Sequence, residues 1–247
     1  MVEVSARLRE LVAAGRDVAV LTGAGMSAES GVPTFRGQGG FWENESFEDL
    51  ATPQGFARDP DKVWRWYDAR RRGVAACAPN AGHRALAEYQ MHHPGMKVIT
   101  QNIDGLHQAA GSRNVVELHG ALFRVRCTRD GMARDDRRVP LPDIPPRCAC
   151  GALLRPDIVW FGEALPQAAV EAAFGAARRA ALFLVIGTSA VVYPAAGLPA
   201  IASGAGAWVV EINPERTAIS DQADEVLRGP AAVVLPALLG AVPAATR

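Results

Sequence analysis

The 247-residue sequence predicts an α/β fold: an open parallel sheet with helices on its faces, plus a smaller domain formed by two inserted segments. Three observations predict it. Short, apolar, β-branched runs bounded by glycine, proline or polar residues recur along the chain, the pattern of parallel strands buried on both faces. Ala-rich helical stretches lie between them, and such alternation implies ligand chemistry at the carboxyl ends of the strands. Two segments, 38–78 and 124–151, break the alternation. With 49% hydrophobic residues, the chain can bury a sizeable core, in one large domain or in a domain with an embedded smaller one.

In chain order, MVEVSARLRELVAAG has helical spacing and lacks the basic and apolar regions of an export signal. VAVLTG (18–23) is the first strand. It runs into Gly23-Ala24-Gly25, with Ala28 at the third position of G-x-G-x-x-G/A. Small residues there permit a tight turn and aim a helix N-terminus at a pyrophosphate, although a plain strand-to-helix turn uses the same residues. Pro33 then breaks helical continuation, and Phe35 and Arg36 follow. Residues 38–78, containing GGFW, LATPQGF and DPDKVWRWYDARRRGVAAC, read as an aromatic, arginine-rich helical insert.

NAGHRALAEYQMHH (80–93) is a helix and MKVITQN (96–102) the second strand, ending near Gln101. A hydride-transfer site places an acidic residue about twenty positions after the glycines, at the end of the next strand; that strand comes far too late here. TQNIDGLH (100–107) instead sets Gln101, Asn102 and Asp104 in near succession, groups expensive to bury unless they bind something. Capping and turn formation are the alternative use for Asn102 and Asp104. VVELHG (115–120) carries His119, either a structural histidine or a base whose ordinary pKa lies near neutrality.

Segment 124–151 is polar and proline-punctuated without apolar periodicity, so cysteine-bound metal or packing on a neighbour must hold it. LRPDIVWFGE (154–163) is an extended run, an ordinary core strand or an edge able to pair with a bound peptide. PQAAVEAAFGAARRA (166–180) is a helix, ALFLVIGTS (181–189) and AWVVEIN (207–213) are strands, and AAVVLPALL (231–239) is a short strand or turn leading into a terminal helix.

Charge narrows the partners. Lysine plus arginine equals aspartate plus glutamate at 26 each, so no global field favours nucleic acid or an anionic membrane. No stretch has enough uninterrupted apolar residues to span a bilayer. The chain is expected to be soluble, cytoplasmic and monomeric, with no nucleic-acid or membrane partner. Cys127, Cys148 and Cys150 crowd into one segment while Cys77 lies in the other insert, which in a cytosolic chain suggests metal before disulfide.

Six segments, GAGMSAESGVPTFRG, TQNIDGLH, ELHG, LRPDIVWFGE, GTS (187–189) and INPE (212–215), occur in the order and spacing of the sirtuins, the NAD-dependent protein lysine deacylases. The resemblance runs from about Val18 to about Leu239. It implies a Rossmann-like large domain (1–37, 79–123 and 152–247) and a small domain made of a helical module (38–78) and a zinc-ribbon-like module (124–151). It also implies that NAD is consumed as a co-substrate: the acyl oxygen attacks the nicotinamide ribose, nicotinamide leaves, and an alkylimidate resolves to lysine and O-acyl-ADP-ribose.

Carried over by position, Gly23, Ala24, Gly25, Ser27, Phe35 and Arg36 line the dinucleotide loop, with Gln101, Asn102, Ile103 and Asp104 around the nicotinamide ribose. Gly187, Thr188 and Ser189, then Asn213, Pro214 and Glu215, and Ala231 match the remaining NAD contacts. His119 matches the general base. Val159, Trp160, Phe161 and Gly162 match the strand that receives the acyl-lysine peptide.

Tyr67 and Arg70, three apart on a helix, resemble the Tyr-x-x-Arg signature of the sirtuin subclass that removes succinyl, malonyl or glutaryl groups. A phenol beside a guanidinium suits a carboxylate; a solvated, basic helix face is the alternative, since Arg71 and Arg72 follow. Members carrying the pair retain deacetylation. The family's ribbon holds zinc with two C-x-x-C-like pairs, whereas here Asp130 stands three residues after Cys127, and Cys148 and Cys150 are two apart. Asp130 completes a Cys3Asp site, or the ribbon has lost its metal. Other activities the residues admit are protein mono-ADP-ribosyl transfer and non-catalytic NAD or ADP-ribose sensing.

Overall fold

The structure, a computed structural model, describes residues 4–34 and 46–240. Its elements are α1 (Ala6–Ala14), β1 (Val18–Thr22), a 3-10 helix (Ala24–Ser30), α2 (Phe47–Leu50), α3 (Pro53–Arg58), α4 (Pro60–Ala75), α5 (Ala81–His92), β2 (Lys97–Thr100), α6 (Leu106–Ala109) and β3 (Val115–Glu117). There follow β4 (Gly120–Cys127), β5 (Ala133–Asp135), β6 (Leu154–Ile158), α7 (Gln167–Arg179), β7 (Leu182–Ile186), α8 (Leu198–Gly204), β8 (Trp208–Ile212), β9 (Glu225–Leu227) and α9 (Ala231–Leu239).

Six strands form one parallel sheet in the order β3-β2-β1-β7-β8-β9. With β4 to β6 set aside, this is the Rossmann order, which reverses direction at β1 and opens a crevice between the carboxyl ends of β1 and β7. Every residue of β1 and of β7 is buried, which explains why the sequence there is continuously apolar. Val18 and Val20 face α1, α5 and α9 through Leu8, Val12, Leu86, Val234 and Leu235. Ala19 and Leu21 face α7 and α8 through Ala173, Ala177, Leu198 and Ala202. The helix starts are set locally: the Ser5 hydroxyl caps α1 by accepting from Leu8 N, and Asn80 and His83 form a capping box on α5.

The remaining strands form an antiparallel sheet, β5-β4-β6, which packs on α4. Leu50, Phe56, Val63, Trp64 and Tyr67 from the helical segment share one core with Leu122, Val125, Leu141, Leu154 and Ile158. Polar contacts pin the same joint. Trp64 Nε1 donates to Leu154 O at 2.7 Å, and the Asp68 carboxylate accepts from Leu141 N at 2.9 Å. Fully buried Arg71 donates to Leu122 O at 3.2 Å and Arg138 O at 3.0 Å, and pairs with Asp136 at 3.3 Å. The polar segment is therefore held by packing on a neighbour, one of the two supports its composition called for.

Two local outcomes differ from the sequence reading, and a third decides between its alternatives. Residues 231–239 are helical throughout, and the strand at that sheet edge is the preceding β9. β3 also joins the sheet. The arginine run is mostly not solvated: Arg70 and Arg71 are buried, and only Arg72 reaches out, paired with Asp68. Among the described residues no helix is long and apolar enough to cross a membrane.

Candidate functional site

The site is built at the sheet's switch point, where backbone must approach backbone. Gly23 N donates to Ile186 O at 3.0 Å and Gly25 N to Gly187 O at 2.8 Å, clamping the end of β1 onto the end of β7. A Cβ on Gly23 would lie 2.6 Å from the Thr188 side chain, and one on Gly187, at φ +57°, would lie 2.4 Å from Met26 N. Both positions require glycine. The chain then enters a 3-10 helix over Ala24–Ser30 instead of a long crossover helix.

Polar side chains from neighbouring strand ends converge there. Asn102 Nδ2 donates to Gly23 O at 2.9 Å and Ser27 Oγ at 3.2 Å, and Ser27 Oγ donates to the Asp104 carboxylate at 2.7 Å. Gln101 Nε2 donates to Thr188 Oγ1 at 3.0 Å, and Asn213 Nδ2 to Thr188 O at 3.2 Å. Gly23, Ser27, Asn102 and Asp104 thus form one hydrogen-bonded set, and Gln101, Thr188 and Asn213 a second beside it. Ile103 is buried beside them, its carbonyl accepting from Leu122 N. Ser189, Pro214 and Glu215 are exposed on the loops after β7 and β8, and Ala231 begins α9. Phe35 and Arg36 lie outside the described residues.

His119 sits between β3 and β4, with Nδ1 2.9 Å from Gln101 O. A carbonyl only accepts, so Nδ1 carries the proton and Nε2 keeps its lone pair. Burial lowers the His119 pKa, partly offset by that hydrogen bond. Burial raises the Asp104 pKa, opposed by the Leu106 N–H, the Ser27 hydroxyl and the charge of Arg70.

A second polar layer escaped the sequence reading. Thr22 and Thr100, the last residues of paired β1 and β2, hydrogen-bond to each other at 2.9 Å, and Thr22 Oγ1 lies 3.0 Å from His107 Nε2. His83 Nε2 lies 3.5 Å from Ser27 Oγ, and the two imidazole rings meet edge on, centroids 4.9 Å apart. Burial pushes His107 down to about 3 and His83 to about 4, so both are neutral. Thr22 and Thr100 become a pair only through the strand register, and His83 and His107 join them only through helix packing.

On α4, Tyr67 is buried and its hydroxyl accepts from Trp160 Nε1 at 2.9 Å. The Arg70 guanidinium lies 4.7 Å from the Trp66 ring centre and 5.7 Å from that of Tyr67. Burial lowers its pKa, while Tyr67 and Asp104 support its charge. The helical module therefore delivers a buried cation toward the Asp104 side of the crevice.

Trp160 is buried and Phe161 exposed. Arg155 stacks over the Trp160 ring at 3.6 Å and pairs with Glu163 at 2.6 Å, shaping the loop after β6. Val159 N donates to His119 O and Phe161 N to Ala51 O, so both of these amides are used within the chain.

Cys127, Asp130, Cys148 and Cys150 place one ligand atom each within 4.8 Å of one another, and Cys127 Sγ is 3.6 Å from Cys150 Sγ. Two thiolates on tetrahedral zinc at about 2.3 Å lie about 3.8 Å apart, so the donor set fits that ion. Cys77 stands apart, its thiol donating to Gly73 O. Cys127 ends the strand that His119 precedes, roughly 25 Å away at the rise of an extended chain, so a metal there cannot touch the crevice.

A family model described as Sir2 family matches residues 23–194. The NAD-dependent protein deacylase 2 of Pyrobaculum aerophilum is 54% identical over 231 residues, covering 93% of this chain and 92% of the relative. A crystal structure of a Sir2 homologue–NAD complex superimposes with a TM-score of 0.91 at 45% identity, covering 97% of this chain and 94% of that one. A Sir2–p53 peptide–NAD+ structure gives 0.84 at 33% identity, covering 96% and 98%.

Proposed function

From the premise that this chain belongs to the Sir2 family and is an NAD-dependent protein deacylase, we propose that it removes acyl groups from protein lysine, succinyl and malonyl in preference and acetyl as well. The products are free lysine, nicotinamide and O-acyl-ADP-ribose. NAD, when bound, supplies the ribose carbon that takes the acyl oxygen and the nicotinamide that departs.

The chain's own residues divide the work. Gly23, Ala24, Gly25, Ser27, Gly187, Thr188 and Ser189 cradle the dinucleotide across the switch point, and Asn213, Pro214, Glu215 and Ala231 hold its far side. Phe35 and Arg36, outside the described residues, are assigned to screening the reactive ribose from water. Gln101, Asn102, Ile103 and Asp104 hold nicotinamide and its ribose with preorganised dipoles. His119, its Nδ1–H fixed on Gln101 O, takes a ribose hydroxyl proton at Nε2. The acyl-lysine peptide pairs along Val159, Trp160, Phe161 and Gly162. Cys127, Asp130, Cys148 and Cys150 hold a structural zinc that stiffens the zinc-ribbon-like module (124–151); with the helical module (38–78) it forms the small domain over the large one (1–37, 79–123 and 152–247).

The acyl preference rests on Arg70: a guanidinium buried on α4 and coupled to Asp104 is a ready counter-charge for a carboxylate at the acyl end. The test is a panel of peptides bearing acetyl-, malonyl-, succinyl- and glutaryl-lysine, with nicotinamide release followed for each. Succinyl and malonyl peptides are expected to turn over with the highest kcat/KM; a clear preference for acetyl would remove the carboxylate-reading role.

A further inference from the structure

At the far side of the crevice, Glu211 and Arg228 have been given no part in binding NAD or peptide, although they adjoin residues that have. Glu211 is a carboxylate in the central strand β8, 1% exposed. Such burial is costly unless the group is fully partnered. It accepts from the Thr217 hydroxyl and from Ser220 Oγ at 2.6 Å, and pairs with Arg228 Nη1 at 3.0 Å. Arg228, at the end of β9, uses the rest of its fork on the loop after β8. Nη1 donates to Glu215 O at 2.6 Å and Asn213 O at 3.4 Å, and Nη2 to Ser220 Oγ at 2.9 Å. Gly229 N also donates to Asn213 O at 3.4 Å, and the Asn213 side chain reaches Thr188 O.

One ion pair, with its carboxylate buried and its guanidinium exposed at the surface, therefore ties together the β8 loop (213–220) and the segment leading to Ala231. We infer that Glu211 and Arg228 are positioning residues that hold the adenosine half of NAD through Asn213 and Glu215. The half follows from the sheet. Gln101, Asn102 and Asp104 follow β2, on one side of the switch point, and a dinucleotide lying across it puts its other end beyond β7, at β8 and β9. A guanidinium fixed by a fully buried carboxylate sets two backbone carbonyls at once, and with them the loop's side chains. The inference rests on the proposed role of 213–215 in NAD binding.

The test is steady-state nicotinamide release by the full chain carrying Glu211→Gln, Arg228→Met, Arg228→Lys or Asn213→Ala. Glu211→Gln and Arg228→Met are expected to raise KM for NAD about tenfold, the scale of losing one charge-assisted contact. The kcat and the peptide KM should stay within about twofold, because neither residue adjoins the reacting end; a merely destabilised protein would instead lower the apparent kcat and leave both KM values unchanged. Arg228→Lys should recover part of the loss. If Asn213→Ala raises KM for NAD while Glu211→Gln and Arg228→Met leave it unchanged, the positioning role is wrong and the contact itself stands. If Asn213→Ala also has no effect, the proposed NAD contact at 213–215 is wrong, and this inference falls with it. Should Arg228→Met fail to fold, Glu211→Gln and Arg228→Lys still decide the matter.

Discussion

Replacing Arg70 by methionine keeps the length and apolar stem of the side chain and removes its charge. Arg70 is 8% exposed, stacked on Trp66 and close enough to Asp104 for each to shift the other's pKa. So little solvent reaches the guanidinium that its pairing with an acyl carboxylate is only weakly screened. Loss of such a charge-assisted pair costs about 2–3 kcal/mol, or roughly 30- to 150-fold in kcat/KM. Acetyl-lysine has no carboxylate to lose, so its kcat/KM on the alkaline plateau of the pH profile should change by less than about threefold.

A second consequence separates this account from simple damage. Arg70 holds the Asp104 carboxyl down against the upward push of burial, so Arg70→Met lets its pKa rise. The acidic limb of the deacetylation profile should therefore move to higher pH in the variant. Arg70→Lys keeps the charge without the planar fork, and should leave that limb in place while still losing much of the desuccinylation. Equal loss of succinyl and acetyl turnover in Arg70→Met, with a normal melting temperature, would refute the reasoning.

Other consequences follow from the site. Burial lowers His119 below its ordinary 6.5, so the base is already neutral at pH 7 and the acidic limb attributable to it should lie below 6.5; His119→Ala should cut kcat by a factor on the order of 100 to 10,000, and a limb above 6.5 would count against the assignment. His107 and His83 are held near 3 and 4 when folded, so the unfolded chain takes up protons first as pH falls below 6.5. Their stability contribution is therefore full above 6.5 and declines toward pH 4 by about 1.4 kcal/mol per pH unit for each histidine; denaturant titrations of His107→Gln should show a shallower decline than the parent protein. Metal analysis should find one zinc per chain, with Asp130→Cys making the ion harder to strip by chelators; a ratio near zero would leave the ribbon held by packing on α4 alone.

The legible part of the fold was the part buried on both faces. β1, β2, β7 and β8 stand out because no solvent face interrupts their apolar runs. β3 and β9 are three residues each and only partly buried, too short to show a period. Residues 231–239 mix β-branched residues with Pro236, yet form a helix, because β9 already occupies the sheet edge and α5 offers an apolar face. In the site, Gln101, Asn102 and Asp104 are conspicuous in the sequence as polar groups at a strand end, while Ser27 is singled out only through the family resemblance. Thr22, Thr100, His83 and His107 are neither, since each looks ordinary alone and gains meaning only from register and helix packing. The role of Arg71 was not legible: its carbonyl partners at 122 and 138 lie about fifty and seventy positions away, beyond any local pattern.

The central claim is that this crevice consumes NAD to free acylated lysine. NAD labelled in the ADP-ribose half, incubated with the enzyme and a succinyl-lysine peptide, tests it directly. The account predicts one nicotinamide released per lysine freed, with the label recovered in small O-acyl-ADP-ribose and none released without acyl peptide. Label fixed on protein, or nicotinamide release independent of acyl peptide, would contradict it.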